Sequence, residues 1–123
     1  MNKELKNNPL VQKSFLAVEI VKFGKTLITK KKEFLLSKQI IRSGTSIGAN
    51  IEKAKSAISN ADFKNKISIA YKESKETLYW LRLLHETGYI YKSKFEKLQN
   101  DCDEIFRMLR ATLNTMNKKI LNS

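Results

Sequence analysis

The sequence predicts an all-α protein: a single domain over residues 1–123, folded as an antiparallel up-down-up-down four-helix bundle. Apolar residues recur at alternating steps of three and four along four segments, which is the periodicity of helices that face a common core. Glycine and proline together number only five, so turns are few and the elements between them are long. Turns of roughly three to six residues favour antiparallel packing of consecutive helices.

The first two predicted helices are marked by their termini and by glycine. Asn8 can accept a hydrogen bond at the start of the first helix, and Pro9 suits the first helical position because it lacks an N–H. Gly44 and Gly48 share one face of the second helix, which predicts a close contact with another helix backbone. A phosphate-binding loop is excluded because the lysine and hydroxyl residue of that motif are missing. The four predicted helices cover residues 9–29, 33–57, 61–87 and 93–119.

The last two helices carry regular apolar seams, the geometry of bundle packing. Asn60 or Asp62 could cap the third helix at its start. Gly88 stands where a left-handed C-terminal cap is expected. Ser93 and Glu96 fit a capping box at the start of the fourth helix.

The charge is strongly basic, with 24 lysine and arginine residues against 12 acidic residues and a net charge of +12. Half of this excess lies in residues 1–32, which hold eight cations and two anions. Such a charge favours polyanions, nucleic acid first and then acidic proteins or anionic lipid. The alternative is that lysine only solubilises the helix surfaces. The candidate nucleic-acid contacts are Lys22, Lys25, Lys30, Lys31, Lys32, Lys38 and Arg42.

Residues suited to catalysis or metal binding are sparse. His85 is the single histidine, and no Glu-x-x-His motif of a di-metal bundle occurs. Cys102 lies on the apolar seam of the fourth helix, where packing is expected rather than nucleophilic chemistry. Glu73 and Glu76 share a face and could bind a metal, but more often such a pair forms salt bridges with nearby lysines or a neighbouring subunit. The sequence therefore predicts no catalytic residue, metal site, cofactor or small-molecule substrate.

The expected location is the cytoplasm. Cys102 is the only cysteine, so no internal disulfide can form, as is usual in a reducing compartment. The N-terminal residues have no apolar segment like that of a signal peptide. No run of about 18 apolar residues occurs, so no membrane contact is predicted.

The third predicted helix has more apolar surface than one bundle needs. Its second line of residues consists of Ile69, Glu73, Glu76, Trp80 and Leu83. Tyr79, Trp80 and Leu83 are therefore candidates for a subunit interface. The alternative is a wide core-facing arc that buries Trp80 within its own bundle. Asn50, beside the stripe of the second helix, could fix helix register or subunit pairing.

Three stretches carry a family resemblance: IRSGTSIGANIEKA at 41–54, ADF at 61–63 and IAYKESKETLYWL at 69–81. In these stretches the chain resembles the 23S ribosomal RNA intervening-sequence proteins. The residues that match the family motif are Arg42, Ser46, Gly48, Asn50, Glu52, Asp62, Phe63, Glu73 and Glu76. The resemblance implies bacterial helical bundles that assemble into rings, typically homopentamers, with no established enzymatic activity. It also implies nucleic-acid binding. Lys53 and the lysine-rich third helix depart from the family pattern.

Two functions follow as hypotheses. The first is an oligomeric protein that binds RNA or DNA through its basic surface. The second is a protein-interaction scaffold, in which the ring docks a partner protein and the positive charge is incidental.

Overall fold

The computed structural model describes the backbone of residues 8–122 and the side chains of residues 8–118. Over this range the protein is all-α and contains no strand. Helices α1 and α2 together take the place of the first predicted helix, so the four-helix prediction is confirmed. The bounds are α1 Pro9–Lys13, α2 Leu16–Lys31, α3 Leu35–Lys55, α4 Asn60–Glu86 and α5 Lys92–Asn122. No helix in the described range is long and apolar enough to cross a membrane.

The first predicted helix is interrupted at Ser14 and Phe15, which the sequence analysis missed. The amides of Phe15, Ala17 and Val18 bond to carbonyls three residues earlier, at 3.2, 3.1 and 2.9 Å, so this turn is tighter than an α-helix. Ser14 is buried, and its hydroxyl donates to the carbonyl of Val11. Bonding of this kind competes with the helical ladder and bends helices.

The N-cap of α4 differs from the two predicted residues. Ser59 is the N-cap, and its hydroxyl accepts from the amide of Asp62 at 3.0 Å. The carboxylate of Asp62 accepts in return from the amide of Ile58 at 3.2 Å. The prediction that Asn60 or Asp62 is the cap is therefore wrong, although Asp62 completes the reciprocal pair.

Two other termini follow the prediction and one does not. Asn8 accepts from the amide of Leu10 at 2.8 Å, which confirms it as the cap of α1. Gly88 has a φ of 82° after the end of α4, which confirms the left-handed cap. The capping box at α5 is wrong because the helix begins one residue before Ser93, at Lys92.

One apolar core joins all the helices, and Cys102 belongs to it as predicted. Its completely or nearly completely buried aliphatic side chains are Ile20, Leu27, Ile40, Ile47, Ile51, Ile67, Leu81, Leu84, Leu98, Ile105 and Leu109. Between α4 and α5, two stacked ring pairs add to this core: His85 on Phe95, with centroids 4.2 Å apart, and Tyr71 on Phe106 at 5.1 Å.

Glycines allow α2 and α3 to approach closely. A Cβ atom at Gly44 would lie 2.8 Å from two side-chain carbons of Ile20, so the neighbouring helix contacts Gly44 closely, but through a side chain and not through its backbone as predicted. At Gly48 the nearest atom is the carbonyl oxygen of Ser14 at 3.5 Å, which is an ordinary contact. Gly24 makes a second close approach, where a Cβ would overlap Ile41.

Candidate nucleic-acid interface

Three lysines occupy the turn between α2 and α3. Lys30 and Lys31 end α2, and Lys32 adopts a left-handed φ of 54°. The amide of Glu33 donates to the carbonyl of Leu27 at 3.0 Å, which closes the end of the helix. The carboxylate of Glu33 accepts from the amide of Ser37 at 2.9 Å and so caps the start of α3. The turn therefore holds three consecutive exposed cations in a fixed backbone.

Three further lysines extend this positive surface. Lys22 and Lys25 lie on the outer face of α2, and Lys38 lies on the outer face of α3. A Cβ at Gly24 would lie 3.7 Å from the carbonyl oxygen of Ser37, and Lys25 and Lys38 are the next residues along the chain after this pair. We call the six lysines the basic band: Lys22, Lys25, Lys30, Lys31, Lys32 and Lys38. All six are exposed, and none of them forms an ion pair among the described residues.

Arg42, the seventh candidate contact, is in a different situation. Its guanidinium pairs with the carboxylate of Glu73 at 3.2 Å and with that of Glu76. The hydrogen bond from Arg42, with a smaller one from Trp80, holds the pKa of Glu76 below its ordinary value. The pKa of Arg42 is raised, chiefly by the same bond to Glu76. Two carboxylates therefore already neutralise Arg42, and a phosphate would have to displace them.

This arrangement corrects one interpretation of the two glutamates. Glu73 and Glu76 were predicted to form salt bridges with nearby lysines or a neighbouring subunit, whereas their partner among the described residues is Arg42, more than thirty residues earlier on α3. Beneath this pair the hydroxyls of Thr77 and Ser43 lie 2.9 Å apart and are fully buried. This buried polar contact between α3 and α4 was not predicted, because a single hydroxyl on an apolar seam gives no sign of its partner.

Two polar motif residues on α3 bond within their own helix. Asn50 is buried, and its amide nitrogen donates to the carbonyl of Ser46 at 2.9 Å and contacts the Ser46 hydroxyl at 3.1 Å. Glu52 is exposed and pairs with Lys55 at 3.2 Å. These contacts engage the amide nitrogen of Asn50 within its own helix, and the role of Asn50 in register or subunit pairing stays a prediction.

The motif residues at the start of α4 serve the helix end and the apolar surface. Asp62 completes the cap and lies 3.7 Å from the ammonium group of Lys66. Phe63 is half-buried against the core and lines an apolar cleft of about 290 Å³ together with Ile51 and Met108.

The three candidate interface residues on α4 differ in exposure. Trp80 is half-buried against the core, and its indole N–H donates to Glu76 at 3.3 Å. Leu83 is also half-buried, whereas Tyr79 is 47% exposed and lies edge-on to Trp80 with ring centroids 5.0 Å apart. One chain therefore covers Trp80 in part and leaves Tyr79 largely open.

The residues with reactive or metal-binding side chains do not converge. Within residues 8–118, no group of three histidine, cysteine, aspartate or glutamate side chains could hold a metal ion. Burial raises the pKa of the Cys102 thiol to about 12, so the nucleophilic thiolate is scarce at neutral pH. His85 stacks on Phe95 rather than standing beside a nucleophile.

These features define a class: a small, basic, all-α protein of four helices with a surface of exposed lysines. The chain belongs to the family of 23S rRNA-intervening sequence proteins, whose family model matches residues 6–111, and this confirms the resemblance. It is also similar to the crystal structure of a protein with unknown function from the S23 ribosomal protein family of Bacteroides thetaiotaomicron. The two are 50% identical, with a TM-score of 0.83, over 85% of this chain and 97% of that chain. The comparison with curated proteins finds no match.

Proposed function

We propose that the protein is a non-enzymatic, oligomeric nucleic-acid-binding protein of the cytoplasm, and that the basic band contacts the phosphates. One observation carries the proposal. Six exposed lysines lie on two adjacent helices and their connecting turn, and none is neutralised by a carboxylate in the described part of the chain. Lys30, Lys31 and Lys32 also lie at the C-terminal end of α2, which suits cations because the helix dipole is negative there.

The chemistry of the band favours binding without sequence readout. Lysine ammonium groups bind phosphates as point charges and release the counterions condensed on the nucleic acid. Each phosphate contact contributes about 0.9 to the slope of the logarithm of affinity against the logarithm of salt concentration for duplex DNA. Arg42 contributes little to this surface because Glu73 and Glu76 already bind it.

The proposed unit is an antiparallel up-down-up-down bundle that assembles into a ring, as a homopentamer. The bundle order is supported by pairs that run in opposite chain directions, since His85 stacks on Phe95 and Tyr71 on Phe106. Self-assembly is supported by Trp80 and Leu83, which one chain buries only in part.

The binding proposal is tested by neutralising three lysines at a time. We expect a variant with Lys30, Lys31 and Lys32 changed to glutamine to bind structured RNA and duplex DNA at least about 10-fold more weakly at low salt. Its salt slope on DNA should fall by about 2 to 3, from three lost contacts. The matched control changes three exposed lysines elsewhere, Lys53, Lys72 and Lys118, so that the net charge falls equally.

Fluorescence anisotropy over a salt series measures both quantities. Equal losses in the two triple variants would mean that only the net charge matters and would remove the basic band as the site. No binding by the unmodified protein at micromolar concentration and low salt would end the nucleic-acid proposal.

Light scattering tests the assembly separately. A ring predicts a mass several times that of the 14.2 kDa chain, whereas a monodisperse monomer of 14.2 kDa would contradict it.

The scaffold function is a second candidate because two apolar side chains near the start of α2 are exposed. Phe15, which precedes α2, is 64% exposed and Val18 on α2 is 48% exposed, so one chain leaves both side chains largely uncovered. If the protein is a scaffold, a pull-down from a native lysate should recover a protein partner that stays bound after nuclease treatment. The Phe15→Ser variant should fail to recover this partner, whereas the triple lysine variant should still recover it.

A further inference from the structure

A polar groove of about 380 Å³ lies between α4 and α5, apart from the basic band. Lys75, Leu78, Tyr79 and Arg82 of α4 form one side, and Gln99 and Asn100 of α5 form the other. Asp103 completes the lining. The groove therefore combines two cations, one large aromatic ring and two side-chain amides.

The cations stand on either side of the aromatic ring. Lys75 comes four residues before Tyr79 and Arg82 three residues after it, so all three share a helix face. Both cations are exposed and unpaired among the described residues, with the Lys75 ammonium 5.9 Å from the centre of the Tyr71 ring. The carboxylate of Asp103 lies 3.0 Å from Arg107, which offsets its charge.

The ring of Tyr79 is held at one edge and open elsewhere. Its plane meets that of Trp80 at 70°, with the centroids 5.0 Å apart, and 47% of the residue is exposed. An aromatic ring fixed in this way between two cations can stack on a nucleobase while the cations contact the flanking phosphates.

We propose that this groove binds an unpaired nucleotide of a single-stranded nucleic acid. The base of this nucleotide stacks on Tyr79, beside Leu78. The cations Lys75 and Arg82 contact the phosphates on either side of it. The side-chain amides of Gln99 and Asn100 face the polar edge of the base. This inference rests on the proposed function and deepens it, because it names the strand class. In a duplex the bases are already stacked on each other, so Tyr79 discriminates in favour of single strands.

The test compares binding of one single-stranded and one duplex RNA of about 15 nucleotides, both labelled, by fluorescence anisotropy. The single-stranded RNA is an oligouridylate. We expect Tyr79→Ala to weaken its binding about 5- to 150-fold and to leave the affinity for the duplex RNA unchanged within about 2-fold. Tyr79→Phe should keep single-strand binding, since the ring remains. The matched control is Tyr91→Ala, because Tyr91 is 80% exposed and does not line the groove.

Three results would overturn the inference. Tyr79→Ala could bind both RNAs as the unmodified protein does, or it could lose affinity for both equally. It could also change the mass measured by light scattering, which would assign Tyr79 to a subunit contact. After any of these results the proposed function would still stand if the unmodified protein binds duplex RNA and if that binding depends on Lys30, Lys31 and Lys32. Absence of any RNA or DNA binding by the unmodified protein would instead end both.

Discussion

Replacing Gly44 by alanine tests whether the close contact between the Gly44 backbone and the Ile20 side chain limits the packing of this fold. The new methyl group would lie 2.8 Å from the Cδ1 and Cγ2 atoms of Ile20 and 3.3 Å from its Cβ. Ile20 is fully buried, so its side chain has no solvent-filled space to move into. The clash must therefore be relieved by a shift of the helices or by a strained rotamer.

The magnitude follows from two opposing effects. Overpacking a filled core typically costs about 1–3 kcal/mol. Replacing a glycine inside a helix by alanine returns about 1 kcal/mol of helix preference. We expect Gly44→Ala to lower the free energy of unfolding by about 0–2 kcal/mol. Gly48→Ala is the matched control: its methyl would meet only an ordinary contact at 3.5 Å, so we expect a gain of about 1 kcal/mol.

Urea denaturation followed by circular dichroism at a fixed protein concentration measures the difference, which should be about 1–3 kcal/mol between the two variants. A double-mutant cycle with Ile20→Val adds a second measurement, because valine lacks the Cδ1 atom that the new methyl would meet. The effect of Gly44→Ala should be smaller in that background by about 0.5 kcal/mol or more. If Gly44→Ala is as stable as Gly48→Ala, the contact does not limit packing and the reasoning fails.

Three further predictions concern single side chains. Arg42→Ala should cost only about 0.2–1 kcal/mol at pH 7, since the ion pairs are half-exposed. Because the pKa of Glu76 is lowered in the folded protein, its contribution is present above its ordinary value of 4.5 and lost as pH falls through the folded value. The variant and the unmodified protein should therefore converge in urea stability as the pH falls below 4.5 and through the folded value, and a constant gap would contradict this. Ser59→Ala should cost about 1 kcal/mol and the neighbouring Asn60→Ala close to nothing, because only Ser59 accepts the cap bond; equal thermal stabilities would refute the assignment. Cys102, with its pKa raised to about 12, should resist a thiol reagent at pH 8 until urea is added, and rapid labelling of the folded protein would argue against its burial.

The helix termini show which caps can be predicted from the local sequence and which cannot. Asn8 and Gly88 were identified as caps because each acts on backbone groups within a few residues of itself. Ser59 was missed in favour of Asn60 and Asp62, since three of the four residues from 59 to 62 could fill the same position and propensity does not separate them.

For the candidate sites, some residues could be identified from the sequence, whereas the environment of others depends on the tertiary structure. The lysines of the basic band were identified from charge alone, because an exposed cation needs no partner to be recognised. Arg42 carried the same charge, yet the fold places it against Glu73 and Glu76, an arrangement that depends on how α3 and α4 are rotated about their axes. Nothing in the spacing along one helix reports that rotation.

The sequence by itself determined the all-α class, the four helical segments, the net charge of +12 and the family. Apolar periodicity, capping and charge are local properties, so they can be identified before any two helices are placed together. Only the tertiary structure decided that Arg42 is neutralised, that Gly44 faces Ile20, and that Tyr79 stands over a groove shared with α5. Each of these depends on the relative position of two helices, which is set by the packing of the whole core.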